Sequence, residues 1–270
     1  MPRLSVQLYS VREELADLDG TLARLAALGV DTVEPFSVYD RTLELPAALA
    51  RHGMTAPTGH GPFLSDEIEY EGRMVPLPPL EVTLDAARHI GVEVLIDPVV
   101  PAQRWQTADD VARTADRLNA AADRAAERGM RVGHHNHTFE FSRRFGDRTA
   151  YEHFVALLDP RVVLELDVFW AATAGEDVPA LLHRLGDRVH ALHLKDGAVG
   201  PDPFAAGTAY DPEALDLRPL GDGELDLAGI LAAAPAVAFD VLEFDSVDGD
   251  VFAALEASIG YLGSHDRRTA

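Results

Sequence analysis

The chain contains no cysteine, and it has only 23 Lys and Arg residues against 45 Asp and Glu residues. Without cysteine it can form neither a disulfide nor a thiolate metal site, and it has no cysteine nucleophile. The net charge of −22 argues against a nucleic-acid-binding surface, because contacts to phosphate groups need clustered Lys and Arg. The same charge disfavours anionic membranes. We therefore expect no nucleic-acid and no membrane partner, and we interpret the charge mainly as a solubilising surface.

Long apolar runs are also missing. No stretch approaches the roughly 20 apolar residues of a membrane-spanning helix. Residues 1–13 lead directly into a strand-like run and lack the apolar region of a signal peptide, so we expect a cytoplasmic location. The motifs of dinucleotide binding, P-loops, GxSxG hydrolases and HExxH zinc proteases are absent. The glycine-rich strand ends that bind phosphate in many barrels are missing as well, which disfavours a phosphorylated substrate.

What the sequence does contain is a regular alternation of strand-like and helix-like segments over its 270 residues. The predicted strands are 3–8, 31–35, 54–58, 92–97, 130–135, 162–167, 188–194 and 237–243. Predicted helices that end at a glycine are 21–29, 80–91, 107–129, 178–186 and 251–260. Eight strand–helix units predict a (β/α)8 TIM barrel, with a doubly wound sheet as the competing α/β fold.

No shift in composition suggests a linker, so we interpret residues 1–270 as a single TIM-barrel domain. Two long connections rich in Pro and Gly, 59–79 and 197–224, each follow a predicted strand. In a barrel both lie at the carboxyl face, where loops build active sites.

Four apolar runs in the second half of the chain end in acid or imidazole. They are RVGHHNHTFE (131–140), VVLELD (162–167), VHALHLKD (189–196) and VAFDVLEFD (237–245). Each is typical of a buried strand whose last inward residue can bind a metal, and the strand ends of a barrel converge. The candidate metal ligands are Glu140, Asp167, His193 and Glu243. Three carboxylates and one imidazole suit Mn²⁺, Mg²⁺ or Co²⁺, whereas Zn²⁺ more often has fewer ligands, rich in nitrogen or sulfur.

Other residues near these strand ends can contact a substrate. If His135 and His137 face inward, one of them can act as a general base or bind substrate hydroxyls. Lys195 can neutralise excess carboxylate charge or hold an oxyanion. Trp170 offers an apolar wall on which a sugar ring can stack. In the first half of the chain, the residues placed to contact a substrate are Gln7, Tyr9, Glu34 and His60.

Several of these segments resemble, in order along the chain, the xylose isomerase-like TIM barrels, which are usually described as sugar phosphate isomerases/epimerases. The segments are SVQLYSVREEL (5–15), VEPF (33–36), HHNHTFEF (134–141), LELDVFW (164–170), VHALHLKD (189–196), PLGDGELD (219–226) and LEFD (242–245). The resemblance implies one divalent ion held by Glu, Asp, His and Glu, here Glu140, Asp167, His193 and Glu243. Related ketose 3-epimerases carry the first Glu on strand 5 itself, where HHNH stands here. His135 or His137 is therefore a candidate replacement base.

The resemblance implies an isomerase or epimerase that moves a proton on a sugar or keto-sugar through an enediolate. Glu243 is the expected acid/base on one side, and Glu140, His135 or His137 on the other. We expect a small carbohydrate substrate and one divalent metal ion, with Mn²⁺ favoured over Mg²⁺, Co²⁺ and Zn²⁺. The alternative is a metal-dependent lyase or dehydratase on a keto-inositol or 3-keto-glycoside.

Two more distant alternatives are a sugar-binding barrel without activity and the AP-endonuclease branch of the fold. The charge of −22 argues against the AP-endonuclease branch. A homo-oligomer is left open, since no interface is identifiable from the sequence.

Overall fold

Eight parallel strands form the centre of the protein in a computed structural model that describes residues 1–70, 73–204, 211–234 and 236–267. The strands are β1 (Arg3–Gln7), β2 (Thr32–Glu34), β3 (Thr58–His60), β4 (Val94–Asp97), β5 (Arg131–His135), β6 (Val163–Asp167), β7 (Val189–Leu194) and β8 (Phe239–Leu242). Their order is β2-β1-β8-β7-β6-β5-β4-β3, and each neighbouring pair is parallel. The sequence prediction of a (β/α)8 TIM barrel is confirmed.

The two ends of this sheet, β2 and β3, meet through a few backbone hydrogen bonds, so the barrel is nearly closed. The amide of Val33 donates to the carbonyl of Thr55 at 3.0 Å, and the amide of His60 donates to the carbonyl of Pro35 at 2.8 Å. The third predicted strand, 54–58, is misplaced, because the regular strand begins only at Thr58. Pro57 has no amide proton for a ladder on its own strand, which explains the interruption.

Helices surround the barrel. They are α1 (Leu18–Ala27), α2 (Leu45–Arg51), α3 (Leu80–Ile90), α4 (Ala108–Ala126), α5 (Ala150–Leu157), α6 (Val168–Thr173), α7 (Val178–Leu185), α8 (Leu227–Ala233) and α9 (Val251–Ser264). Thr107 caps α4 by accepting a hydrogen bond from the amide of Asp110 at 3.1 Å. Helix α9 passes through Gly260 and ends four residues later than predicted. No helix in the described part of the chain is both long and apolar enough to cross a membrane.

The two predicted long connections contain short antiparallel strands. Glu67–Tyr70 pairs with Arg73–Pro76 after β3, and Asp196–Gly197 pairs with Leu217–Arg218 after β7. Both connections leave the carboxyl ends of their strands, as predicted. Residues 71–72 and 205–210 of these connections lie outside the described residues.

The interior of the barrel is layered. Apolar side chains fill the part away from the carboxyl ends, in two clusters: Val94, Ile96 and Val163, and Ala191, Phe239 and Val241. Gly133 of β5 lies in this packed part, where an added Cβ would stand 2.6 Å from Ile96 Cδ1 and 2.8 Å from the carbonyl oxygen of Val163. Successive residues of a strand face opposite sides of the sheet, so every second residue points into the barrel. Nearer the carboxyl ends, the residues at these inward positions carry acid, amide or imidazole groups. The charged groups are thereby confined to the carboxyl end.

Candidate active site

Four buried residues from consecutive barrel strands meet at the carboxyl end of the barrel. His135 ends β5, Asp167 ends β6, His193 lies in β7 and Glu243 follows β8. Each offers one ligand atom, and these atoms lie within 4.8 Å of one another. We call these residues the mouth group. The structure thus brings together three of the four predicted ligands, Asp167, His193 and Glu243, and adds His135.

Hydrogen bonds from the first turn of α6 and from the segment after β5 hold Asp167 in place. Its Oδ1 accepts a hydrogen bond from the amide of Trp170 at 2.8 Å, which caps α6. The side chain of Asn136 bonds both backbone groups of Asp167, at 3.0 Å to the amide and 3.2 Å to the carbonyl. Asn136 is the third residue of HHNH (134–137) and was not predicted as a site residue. It fixes the end of β5 against the end of β6.

Lys195 brings a buried ammonium group into the mouth group. Its Nζ lies 3.2 Å from Asp167 Oδ2, 2.8 Å from Glu243 Oε2 and 2.7 Å from Asp245 Oδ2. Burial lowers the pKa of Lys195, but Asp167 and the other two carboxylates outweigh burial and raise that pKa well above its usual value. Lys195 therefore stays charged.

A second set of buried polar residues lies against the mouth group. We call Glu34, His60 and Glu165 the inner group. His60 Nε2 lies 2.6 Å from Glu165 Oε2 and 3.0 Å from Glu34 Oε1. His193 Nε2 lies 2.8 Å from Glu34 Oε1 and 3.0 Å from Glu165 Oε2, so it joins the two groups. Gln7 donates a hydrogen bond from Nε2 to Glu34 Oε1 at 2.8 Å.

The pKa shifts in the inner group arise because the carboxylates of Glu34 and Glu165 lie against two imidazoles, that of His60 and that of the mouth-group residue His193. Burial lowers the pKa of His60, but Glu34 and Glu165 outweigh burial and raise that pKa to about 9. Burial raises the pKa of Glu34, but His60 and His193 outweigh it and hold that pKa well below the usual value.

Glu165 and Asp245 are members of the site that were not predicted as site residues. Glu165 precedes Asp167 by two residues, and Asp245 follows Glu243 by two, so each shares the inward face of its strand with a predicted ligand. The alternation of acids in LELD and LEFD is the signal that identifies them. The carboxylate of Glu165 is buried among three imidazoles, and these come from three other strands.

Glu140, the fourth predicted ligand, is not brought to the mouth group. A short 3₁₀ turn, Phe139–Phe141, carries its side chain to the outer face of β5, where Oε1 lies 3.3 Å from His134 Nε2. Its Oε2 accepts a hydrogen bond from the amide of His137 at 3.0 Å. Burial raises the pKa of Glu140, and His134 offsets that rise only in part. The structure separates Glu140 from the other predicted ligands because the strand ends at His135 and the turn that follows places Glu140 beside His134.

His137, a predicted base, lies among aromatic rings. Its ring stacks on Phe139 at a centroid distance of 5.4 Å and lies 6.0 Å from Trp170 and 5.2 Å from Phe204. Burial, reinforced by the charge of Lys195, lowers the pKa of His137 to about 3. The imidazole is therefore neutral at neutral pH.

Trp170 and Tyr9 were predicted to contact substrate, and in the structure both rings lie against other side chains of the protein. Trp170 is fully buried, with the ammonium of Lys195 5.1 Å from its ring centroid, so its ring is packed and does not form an open stacking surface. Tyr9 lies just beyond β1 in a 3₁₀ helix, edge-on to Phe36 at 5.4 Å.

The mouth group fits a divalent cation. Three carboxyl groups, those of Asp167, Glu243 and Asp245, surround the one ammonium of Lys195, and Glu243 also contacts the imidazole of His193. Asp167 Oδ2 and His135 Nδ1 are buried and make no hydrogen bond to any described residue. Imidazole and carboxylate donors together suit Mn²⁺, Co²⁺ or Zn²⁺. These residues could hold one divalent ion, and His135 stands where Glu140 was predicted.

A family model described as xylose isomerase-like TIM barrel matches residues 22–241. The match covers most of the chain, and the chain belongs to that family. The resemblance inferred from the motifs is thereby confirmed. No curated protein matches the sequence.

Solved structures of similar fold cover nearly the whole chain. A sugar phosphate isomerase/epimerase from Parabacteroides distasonis has a TM-score of 0.77 and 20% identity, over 97% of this chain and 98% of that one. The probable 3-DHS dehydratase AsbF from Bacillus anthracis has a TM-score of 0.73 and 13% identity, over 97% and 98%. The IOLI protein, solved with a bound zinc atom, has a TM-score of 0.70 and 16% identity, over 97% of both chains. At these identities the likeness establishes the fold alone.

Proposed function

We propose that this member of the xylose isomerase-like TIM barrel family is a divalent-metal-dependent isomerase or epimerase. Its substrate is a sugar or keto-sugar, and its reaction is a proton transfer through an enediolate. The observation that carries the proposal is the convergence of His135, Asp167, His193 and Glu243 beside the ammonium of Lys195. Many TIM-barrel enzymes have their active sites at this carboxyl end.

The mouth group is the proposed metal site, with His135 in place of Glu140. A divalent ion bound there would act as a Lewis acid and stabilise the negative charge that develops on substrate oxygens. Mn²⁺ is our first choice because the group combines two carboxylates with two imidazoles, and Zn²⁺ and Co²⁺ are compatible with the same donors. The structurally similar IOLI protein was solved with a bound zinc atom, which supports the proposal that this fold can hold a metal ion.

Glu243 is the proposed proton acceptor. Burial raises its pKa, but Lys195 and His193 outweigh burial and lower that pKa, so the carboxylate is ionised at neutral pH. Lys195 is the proposed partner for substrate oxygen, because a permanently charged donor at the mouth stabilises a developing oxyanion.

The second proton-transferring group is an imidazole in this proposal. Burial lowers the pKa of His135 well below its usual value, and nearby His193 adds to the effect, so His135 is neutral like His137. With His135 assigned to the metal, His137 is the proposed second base. The inward residues of the first strands, Gln7, Glu34 and His60, complete the floor of the site.

Solvent exchange tests the proposal. The purified protein, loaded with Mn²⁺ in D₂O, is offered a panel of ketoses, keto-inositols and 3-keto-glycosides. We expect deuterium to enter a carbon position of at least one substrate and an isomer or epimer to accumulate, both dependent on the metal. The absence of carbon-bound exchange across the panel would refute proton transfer.

A lyase or dehydratase is the second candidate, and Lys195 favours it. An ammonium held at the mouth can stabilise the negative charge that develops on the oxygen of a departing hydroxyl or alkoxide. Glu140 lies outside the mouth group, so the two-glutamate shuttle of the related ketose 3-epimerases lacks its second carboxylate. The same panel separates the candidates, because elimination yields an unsaturated product and free water or alcohol, whereas isomerisation conserves the mass of the substrate.

A further inference from the structure

Lys195 is the only lysine among the 23 Lys and Arg residues of the sequence. Its side chain is almost completely buried, and its Nζ contacts the carboxyl groups of Asp167, Glu243 and Asp245. A lysine carries a compact ammonium on a flexible four-carbon stem, for which the planar guanidinium of arginine is no substitute. The mouth therefore depends on one point charge, and the position of that charge depends on how the backbone of Lys195 is held.

Lys195 lies just beyond the barrel strands. The pairing of β7 with β8 ends at Leu194 and Leu242, and the pairing of β7 with β6 ends at His193 and Asp167. A lysine side chain loses much rotamer freedom when it is held in one place, so a fixed ammonium needs a fixed backbone. Strand β7 fixes the chain that enters Lys195, and the chain that leaves Lys195 needs a second support.

The next residue, Asp196, is fully buried, and its carboxylate accepts four backbone hydrogen bonds. Its Oδ1 accepts from the amides of Gly197 at 2.9 Å and Leu225 at 3.2 Å. Its Oδ2 accepts from the amides of Gly221 at 2.9 Å and Gly223 at 3.1 Å. We call residues 221–225 the glycine segment. One carboxylate thus joins the end of β7 to the last part of the long connection that follows it.

The glycine segment approaches Asp196 this closely because two of its positions lack a side chain. A Cβ added to Gly223 would overlap Asp196 Oδ1 and the amide nitrogen of Gly197. Gly221 has a φ of +91°, which is a left-handed conformation that favours glycine. The glycines of GDGE (221–224) therefore allow the backbone to surround the carboxylate of Asp196.

We infer that Asp196 is a positioning residue for Lys195. The two side chains leave consecutive residues and have different partners: Lys195 contacts the mouth carboxylates, and Asp196 contacts the glycine segment. Asp196 fixes the peptide that it shares with Lys195, and the antiparallel pairing of Asp196–Gly197 with Leu217–Arg218 extends this support. The ammonium is thereby kept beside the proposed metal ligands. The inference rests on the proposed function for the use of that ammonium.

Endoproteinase Lys-C tests how firmly this segment is held, because it cleaves after lysine and the chain offers it one bond, Lys195–Asp196. Under native conditions the cleavage rate reports how often that bond opens locally. Asp196→Asn replaces an acceptor oxygen with an NH₂ group that faces amide donors. We expect this variant to be cleaved about 10- to 100-fold faster than the wild type, after each rate is divided by the rate for the denatured chain.

Asp97→Asn is the matched control, since Asp97 is another fully buried strand-end carboxylate that accepts backbone hydrogen bonds. Its Oδ2 accepts from the amides of Phe63 at 2.7 Å and Leu64 at 2.8 Å, in the connection after β3. Denaturant titration gives the fraction of each variant that is globally unfolded, and hence the cleavage that global unfolding allows. We expect Asp97→Asn to match that limit and Asp196→Asn to exceed it. Equal behaviour of the two variants would overturn the inference.

The position of the ammonium has a spectroscopic readout of its own. Protein labelled with ¹⁵N on the lysine side chain gives one Nζ signal, which needs no assignment because Lys195 is the only lysine. We expect Asp196→Asn to move this signal toward that of the denatured chain, because the ammonium loses its fixed place among the carboxylates. Asp97→Asn should leave the signal unchanged. An unchanged signal in a folded Asp196→Asn variant would make Asp196 a support of the connection alone and overturn the inference.

The wild-type protein provides the test if Asp196→Asn does not fold. Hydrogen exchange measures how often the amides of Gly221 and Gly223 open. We expect both amides to be protected, and we expect Lys-C to cleave no more often than they open, since release of Lys195 requires release of the glycine segment. Amides that exchange as fast as in the denatured chain, or cleavage that is more frequent than their opening, would contradict the inference.

These measurements use neither metal nor substrate, so their outcome is independent of the proposed function. If the panel in D₂O identifies a substrate, we expect Asp196→Asn to keep one bound ion per chain and to lose about 100-fold in turnover, because the oxyanion partner is misplaced. Wild-type turnover in the folded variant would overturn the inference. If the panel shows no carbon-bound exchange, the proposed function fails, whereas the lysine signal and the cleavage rate still decide whether Asp196 positions Lys195.

Discussion

The two faces of β5 carry adjacent histidines in similar contacts but in different surroundings. On the outer face, His134 Nε2 lies 3.3 Å from Glu140 Oε1, among the rings of Trp105 and Phe154. On the inner face, His135 Nδ1 lies 3.5 Å from Glu165 Oε2 and its ring is 4.6 Å from that of His193. A buried histidine–glutamate contact is thus no sign of a site by itself. The inner face differs because several carboxylates and imidazoles from other strands converge there.

The sharpest test of this comparison is Asp167→Asn, which removes one negative charge from the inner face. We expect loss of the bound divalent ion and a fall in turnover on the order of 1,000-fold, because the metal loses an anionic ligand. Elemental analysis of the purified protein and carbon-bound exchange in D₂O measure the two effects. Retention of the ion at full occupancy would exclude Asp167 as a ligand.

Lys195→Met probes the charge balance at the mouth. In the metal-free protein we expect the free energy of unfolding to fall by about 3–5 kcal/mol, because three buried carboxylates lose their ammonium partner. Saturating Mn²⁺ should recover part of that loss, since a cation at the mouth opposes the same charges. Denaturant titrations with EDTA and with Mn²⁺ measure the difference, and equal losses in both would contradict a cation site there.

Glu140→Ala tests the outer face. We expect the free energy of unfolding to fall by about 3 kcal/mol, because the change leaves a small cavity and removes the acceptor of His134 and of the amide of His137. The bound ion should remain at the wild-type stoichiometry. A folded variant that lacks the ion would instead restore Glu140 to the ligand set.

The smallest expected effect is a pH dependence of stability that distinguishes the inner group from the outer-face pair of His134 and Glu140. In the metal-free protein His60 has a pKa of about 9, raised above the ordinary 6.5. Its contribution to stability is therefore fully present below pH 6.5 and is lost as the pH rises through 9. We expect the free energy of unfolding to fall by about 1–3 kcal/mol over that interval. His60→Gln should flatten this part of the profile, and an equally steep decline in the variant would exclude His60 as its source.

Much of the barrel and most of the mouth group could be predicted because strand alternation is a local signal. Inward positions recur every second residue, so Asp167, His193 and Glu243 could be placed at strand ends from the sequence. Glu140 could not be placed, because the chain leaves the strand period after His135 and a turn of three residues decides its direction. Glu165 could be seen in the LELD segment, but its carboxylate can be buried only with a partner. That partner is His60, which lies 105 residues earlier in the chain.

The site forms only when β6 has its native register against β5 and β7, so formation of the site can report on folding. Shifting β6 by one residue against β5 and β7 would turn both Glu165 and Asp167 toward the helices and bring Leu164 and Leu166 into the barrel. Such a slipped chain would retain most of its secondary structure and yet lack the proposed metal site. Recovery of metal uptake during refolding therefore measures the fraction of molecules with the native strand register, which circular dichroism does not distinguish.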